Sequence, residues 1–497
     1  MRGRFSFSSG SGAQAYRGRA GRSRLLFLLI MWLGMALRIW GLDGQSLWRD
    51  EVDTVRFATQ PLGELLRMFV TPGHNGPLYY LLMRPWILFF GHRDFALRYA
   101  SLLVGLLVLP LGYQVMRKWA GKRVGRLTAL LLAVSPFVVW YSQELRMYMC
   151  VLCIALASTW CWQRALWDRR PLFWVPYVLL ISAGIYMHFL LALLIPTHLL
   201  LALLRPRDVR AGFPWWVLAY GFFVLPYIPL AWWQKKLLFS PTFRTGHPFV
   251  PLPEMIARLL YVFAEGMHRV RLPSPLPPYA PIVPLLFLAL AGLFLAAPPR
   301  PRDRVMLFLW FLLPILGLYA ISLELPLFTE RYLIWTLPPL LALVALGGRT
   351  LWRWRGIFVV AWGFMLSLML LGLGYQVRFP IKPDMRGAVA YVEAHRSPES
   401  VVLLHLGYLK HAYMYYAPGS RAALREAPAP GPGGTLEQTG RDILARVGDH
   451  RDVWYVESES AMWDPKGLVR KWLETHARKV AERRFVGVYV AHYVLPR

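Results

Sequence analysis

Residues 46–54 read SLWRDEVDT, which gathers Arg49, Asp50, Glu51 and Asp53 in one short stretch with Arg56 just beyond. On a helix Asp50 and Asp53 share a face with Thr54, while Glu51 points about 100° away. A carboxylate so placed can take a proton from an attacking hydroxyl, an effect worth roughly 10²–10⁴-fold in rate. The purely structural reading is a hydrated helix start whose acids favour the N-terminal dipole. The stretch follows the apolar run Leu25–Leu42, and ionised groups beside hydrocarbon are costly unless they are paired, hydrated or put to use.

Three more polar clusters share this setting. His74–Asn75–Gly76–Pro77 suits a turn before a helix that starts on proline, with Asn75 or Gly76 free to cap, but His74 is left without a role by that account. Tyr141–Tyr148 (YSQELRMY) brings Arg146 and Tyr148, and Thr329–Tyr332 (TERY) brings Arg331, followed by Pro338 and Pro339. Interface aromatics with a snorkelling arginine would explain both. Taken together, carboxylates, a histidine and two arginines suit a donor with an anionic leaving group embedded in the outer leaflet, because guanidinium is planar, permanently charged and matched to phosphate. No GxxxxGK[ST] or GxGxxG stretch is present, so no nucleotide site is indicated.

The elements that must position these clusters are apolar. Of 497 residues 56% are hydrophobic and only 17% charged, against about 25% in soluble chains. This is the composition of a polytopic α-helical membrane protein. Apolar runs are expected to span at Leu25–Leu42, Tyr99–Met116, Leu127–Tyr141, Met149–Leu166, twice within Leu172–Leu204 with a turn near His188, and at Phe213–Trp233, Ile282–Ala297, Val305–Leu323, Tyr332–Leu346 and Gly356–Tyr375. About eleven transmembrane helices result.

With a cytoplasmic N-terminus, the basic loops 117–126, 164–170, 205–210, 300–304 and 349–355 all fall inside. That alternation makes the net charge of +29 a topology signal rather than a nucleic-acid footprint. The localisation expected is the inner or plasma membrane, multi-pass, with the bilayer as partner and no nucleic acid.

Residues 1–24 read as a disordered basic arm. Residues 25–375 form the membrane domain, with a long first outer loop, 43–98, containing an interface helix at Pro77–Gly91. A second outer region has a helical stretch, Pro253–Val270. The tail, 376–497, reads as a soluble extracytoplasmic α/β domain. VVLLHL, DVWYVES and FVGVYVAHYVL are its expected strands, and DMRGAVAYVEAHR and KGLVRKWLETHARKVAERR its expected helices. The three cysteines, Cys150, Cys153 and Cys161, lie in one apolar run and read as small buried hydrophobes, not a metal or redox pair. The first apolar run has no small-residue cleavage site and reads as a retained anchor.

In LWRDE (47–51), HNGPLYYLL (74–82), YSQELRMY (141–148) and ERYL followed by TLPPL (330–340), the chain resembles the GT-C glycosyltransferases. More narrowly it resembles the bacterial branch of the dolichyl-phosphate-mannose-protein mannosyltransferase superfamily, which includes the aminoarabinose transferases. The resemblance spans about residues 25–350. It implies the GT-C fold, a polyprenyl-phosphate-linked sugar as donor and transfer on the outer face. It further implies Asp50 as catalytic base with Glu51 as the adjacent acid, and Arg146 and Arg331 near the donor phosphate. Asp53, His74 and Tyr148 join as substrate-binding candidates. No cofactor is required; a divalent metal at Asp50 and Asp53 is possible but not favoured. The Lys-Pro-Pro stretch of the aminoarabinose branch is replaced by His74–Pro77, which argues against that sugar and acceptor.

Two other readings compete. One is an oligosaccharide or phospho-group transferase with a pyrophosphate-linked donor and a metal. The other is a flippase or transporter for lipid-linked sugar, which predicts polar groups near the bilayer midplane and internal repeats. The polar clusters here lie at span ends, and no clear repeat is seen.

Overall fold

A computed structural model describes residues 10–71, 75–224, 247–267, 282–293, 301–460 and 464–496. It is a helical body followed by a small sheet-containing domain. Among the described residues, five helices are long and apolar enough to cross a membrane: Asp94–Val134, Tyr148–Leu166, Pro301–Glu324, Glu330–Arg353 and Arg355–Arg378. The first helix, α1 (Gly10–Ile39), begins inside the segment read from sequence as a disordered arm.

Asp94–Val134 is two legs of a hairpin. Gly121 has φ +86° in its middle, a backbone conformation that costs other residues strain. Beyond it the chain folds back, so that Gly112 lies against Leu132 and Gly125 against Tyr113 and Arg117. The two legs correspond to the expected spans Tyr99–Met116 and Leu127–Tyr141, the second ending at Ser135 before the short helix Pro136–Ser142. The hairpin end is fastened by α1. Arg38 is fully buried and donates to the carbonyls of Leu132 and Ala133 and to Ser142 Oγ, at 3.1 Å in each case. Those carbonyls belong to the last turn of a helix, where no intrahelical donor is available.

The apolar run after residue 171 breaks where expected. Helix Trp174–Met187 ends at His188, which is extended, and the chain resumes through a 3₁₀ turn into Leu194–Leu203. The expected interface helix is present as Pro77–Phe90, entered through Gly76 at φ +88°. Tyr79, Tyr80, Met83 and Ile87 face inward, while Leu82, Leu88, Phe89 and Phe90 stand exposed, an apolar face suited to lipid. The second outer region forms the helix Leu252–Glu265; residues 225–246, the end of the expected span Phe213–Trp233 among them, lie outside the described residues.

The tail forms a five-stranded mixed sheet in the order β2-β1-β3-β5-β4, with β1 (Val401–Leu404), β2 (Leu424–Glu426), β3 (Asp452–Glu457), β4 (Arg478–Phe485) and β5 (Val488–Val494). β1 runs parallel to β2 and β3, and β5 antiparallel to β3 and β4. The expected helix over residues 466–484 is corrected. The helix stops at His476, and the charged remainder, Arg478–Phe485, is an edge strand. Its helix-like charge mixture misled because a solvated edge strand carries charge on both faces.

Alternation divides the sheet's side chains. Val401, Leu403, Val453 and Tyr455 pack with Ile443, Val469 and Leu473 of the tail's own helices. Val402, Leu404, Trp454 and Val456 belong instead to the core that continues into the helical body. That face packs on the tail helix Met385–His395, which lies beside Leu409–Tyr416, and this second helix lies against the acidic helix α2 (Arg49–Thr59).

Candidate active site

α2 begins just past Trp48, with Asp50 and Glu51 in its first turn. The two acids have opposite surroundings. Glu51 is fully buried. Arg98 grips it with two bonds, Nε to Oε1 at 2.8 Å and Nη2 to Oε2 at 2.7 Å. Lys382 Nζ reaches Oε2 at 2.9 Å, and the Leu145 amide donates to Oε1 at 2.9 Å. The remaining guanidinium protons of Arg98 go to the carbonyls of Leu42, Gln45 and Ser46. One carboxylate thus ties together the stretch 42–51, the hairpin helix, the 145 segment and the tail.

Burial pushes the Glu51 carboxyl up, but the charges of Arg98 and Lys382 and the bonds from Arg98 and Leu145 outweigh it, so its pKa falls to about 2. Lys382 is the weaker cation of the pair. Burial lowers its ammonium pKa, and Arg98 adds to that effect while Glu51 opposes it. Because the Glu51 value is depressed on folding, the cluster's stabilisation is complete above the ordinary carboxylate range, about pH 4–5, and is lost as pH falls from there toward 2. Unfolding scans in mild detergent should therefore show a loss of stability between about pH 5 and pH 3 that is smaller in Glu51→Gln. An equal acid dependence in both proteins would remove Glu51 as its source.

Asp50 is only partly covered, with its side chain 13% exposed. Oδ2 lies 3.3 Å from Arg331 Nη1, and Oδ1 lies 3.5 Å from Arg49 Nε. Arg146 Nη1 donates to the Asp50 carbonyl at 3.1 Å, and Thr54 Oγ1 donates to the Leu145 carbonyl at 3.0 Å. These bonds fix the 145–146 segment against α2. The Arg331 guanidinium lies 5.5 Å from the centre of the Tyr148 ring, with Trp48 and Tyr332 also within 6 Å.

Asp50, Arg146, Tyr148 and Arg331, drawn from three distant stretches of sequence, therefore meet. Both arginines keep a buried Nε without a hydrogen-bond partner, a donor left for an incoming acceptor atom.

Asp53 lies on the outer side of the same helix, 3.2 Å from Arg56. Burial and the nearby Asp50 raise its carboxyl, against the pull of Arg56. Arg56 also meets His411 of the tail at 2.9 Å. Arg49 reaches Glu459 at 3.5 Å and covers the ring of Tyr408 at 4.6 Å. The tail thus supplies the outer wall of the site. His74 lies outside the described residues. Among the described residues, no group of three or more His, Cys, Asp or Glu side chains is placed to hold a metal ion.

Sequence reasoning did not find Arg98, Lys382, His188 or the tail's Tyr408, His411 and Glu459. Arg98 carried a readable signal, a charge inside an apolar helix. His188 holds its ring 4.7 Å from that of Tyr332 and 6.1 Å from that of Tyr148, tilted against both, which only the reversal at the end of Trp174–Met187 reveals.

Comparison with known proteins bears on the fold. Residues 74–233 match the sequence model of the family described as dolichyl-phosphate-mannose-protein mannosyltransferase. No curated protein sequence matches the chain. Among solved structures, ArnT from Cupriavidus metallidurans superposes with a TM-score of 0.55 at 14% identity, covering 94% of this chain and 97% of that one, both in the apo state and bound to undecaprenyl phosphate. The archaeal oligosaccharyltransferase AglB from Archaeoglobus fulgidus, in complex with an inhibitory peptide and a dolichol-phosphate, gives 0.53 at 12% identity over 96% of this chain and 75% of that one. The resemblance carried by the sequence motifs is thus met in the backbone: the chain has the GT-C fold, with a segment matching the dolichyl-phosphate-mannose-protein mannosyltransferase family at residues 74–233.

Proposed function

We propose that the protein is an integral-membrane glycosyltransferase that moves a sugar from a polyprenyl-phosphate donor to an acceptor on the extracytoplasmic side, with inversion. The observation that carries this reading is the meeting of Asp50 with Arg146 and Arg331, two partly buried arginines that each keep an unused Nε donor. The proposed topology is about eleven crossings with a cytoplasmic N-terminus and an extracytoplasmic tail. Its support is the alternation of basic loops and the exposed apolar face of helix Pro77–Phe90.

In this mechanism the donor phosphate settles on Arg146 and Arg331. Arg331 then exchanges its bond to Asp50 for one to phosphate, leaving the Asp50 carboxylate to accept the acceptor's proton. The acceptor oxygen bonds the anomeric carbon as the bond to the phosphate oxygen breaks on the opposite face, and both guanidiniums stabilise the departing negative charge. Tyr148 lies against Arg331 as a positioning ring, and Asp53 with Arg56 and His411 lies on the acceptor side. Glu51 is assigned to holding α2 rather than to proton transfer, since its oxygens are taken by Arg98, Lys382 and Leu145.

The test is the lipid itself. Purified protein should retain polyprenyl phosphate, detected by mass spectrometry, and Arg331→Gln should weaken that retention at least roughly tenfold, as expected for a charge-assisted phosphate contact. Retention unchanged in the variant would take Arg331 out of the donor site.

Asp50 and Asp53 are each engaged by arginine, so the reaction is proposed to need no resident metal, and chelation should leave transfer unchanged. Loss of activity on chelation would favour the pyrophosphate-donor reading instead.

A further inference from the structure

Far from Asp50, the other end of the helical body contains a cleft of about 740 Å³. Its position follows from α1. Leu26 lines the cleft, while Arg38, twelve residues later and roughly 18 Å along the helix, is bonded to Ser142 near the active site. The cleft is walled by the turn of the hairpin, by the end of helix Leu337–Thr350 and by the start of Arg355–Arg378.

Four arginines line it, Arg123, Arg126, Arg349 and Arg353, and no lining residue is acidic. Among the described residues none of the four is in an ion pair. Arg126 donates to Ser23 Oγ at 3.1 Å, and Arg353 covers the ring of Trp354 at 4.0 Å. The rest of the wall is apolar, with Leu26, Leu127, Leu351 and Phe358 prominent. Trp352 and Trp354 stand about half exposed at its rim, as indoles do where hydrocarbon meets water.

We propose that this cleft binds one anionic glycerophospholipid of the inner leaflet, its phosphate on the arginines and its first acyl carbons along the leucines. Charge selects the occupant. Four guanidiniums without carboxylate partners favour an anionic headgroup over a zwitterionic one. The apolar wall favours a lipid over free phosphate, which has nothing to place there. The bound lipid would bridge α1, the hairpin turn and the last long helix, all of which line the cleft. The inference rests on the membrane embedding of the body and not on the transfer reaction.

The experiment uses full-length protein stripped of lipid in detergent and titrated with phosphatidylglycerol or phosphatidylcholine of matched chains, with bound lipid counted by native mass spectrometry. Phosphatidylglycerol is expected to bind at least roughly tenfold more tightly than phosphatidylcholine. The pair Arg123→Gln with Arg349→Gln is expected to remove that preference. Leu26→Trp, on a half-exposed face where folding is spared, is expected to weaken binding by filling the cleft. The pair Arg169→Gln with Arg170→Gln, on another basic loop, should leave binding unchanged.

Equal binding of the two lipids, full binding by the Arg123/Arg349 variant, or an equal loss in the Arg169/Arg170 control would overturn the proposal. Displacement by millimolar inorganic phosphate would also overturn it, by showing a bare anion site. Lipid count is read without any sugar transfer, so failure here and failure of the transferase reading are separate results.

Discussion

Asp50→Asn is expected to bind polyprenyl phosphate as the unaltered protein does and to transfer sugar at a rate lower by roughly 10²–10⁴-fold, the contribution of a positioned general base. The substitution keeps the side chain's size and its acceptor oxygen toward Arg331, 3.3 Å away. It removes the capacity to take a proton, together with the negative charge that faces Arg331 and Arg49. Retained donor binding is what separates loss of chemistry from loss of the site. Asp53→Asn is the matched control. Asp53 faces Arg56 and the tail, so its loss should raise the acceptor KM with a much smaller effect on turnover. Near-normal transfer by Asp50→Asn would remove this carboxylate as the base and transfer attention to another acid.

The second large effect is on folding. Arg98→Met is expected to destabilise the protein by about 3–5 kcal/mol, the cost of leaving a buried charge without its main partner. All five guanidinium donors are engaged in the native structure, two on Glu51 and three on carbonyls of the 42–46 loop. Lys382 alone cannot replace them, because one ammonium cannot span a carboxylate and three backbone oxygens. Arg98→Lys should fail for the same geometric reason. The double variant Arg98→Met with Glu51→Met should cost less than the sum of the two single changes, since the carboxylate that would be stranded is gone. Denaturant unfolding in detergent checks this, and a loss below about 0.5 kcal/mol for Arg98→Met would show that the cluster is not a structural keystone.

The apolar helices were legible because avoidance of water imposes a simple rule on the chain, and among the described residues five of them are long and apolar enough to cross a membrane, against the eleven crossings expected. Long apolar runs show as runs, and the break at His188 and the reversal at Gly121 fall where basic or polar punctuation interrupts them. Asp50, Arg146, Tyr148 and Arg331 were legible for a related reason. Charged and aromatic groups at the ends of apolar runs stand out against their surroundings. What could not be read was which acid pairs with which base. Asp50 and Glu51 are neighbours in sequence, but one helical step of about 100° turns the first toward Arg331 and the second into the grip of Arg98.

The share of the tail was hidden too. Lys382, Tyr408, His411 and Glu459 are ordinary surface residue types until the tail helix Leu409–Tyr416 comes to lie against α2. The error at Arg478–Phe485 has the opposite cause. An edge strand needs no alternating apolar pattern when both of its faces meet water.

In the proposed mechanism Arg146 and Arg331 receive the donor phosphate beside Asp50. The direct measurement is an experimental structure of the full chain with polyprenyl phosphate bound. The account predicts a phosphate oxygen within hydrogen-bonding distance of both guanidinium groups, with Arg331 drawn away from the Asp50 carboxylate and Asp50 open to the acceptor side. Phosphate bound elsewhere, or bound while Arg331 keeps its full contact with Asp50 and Arg146 touches only protein, would contradict it.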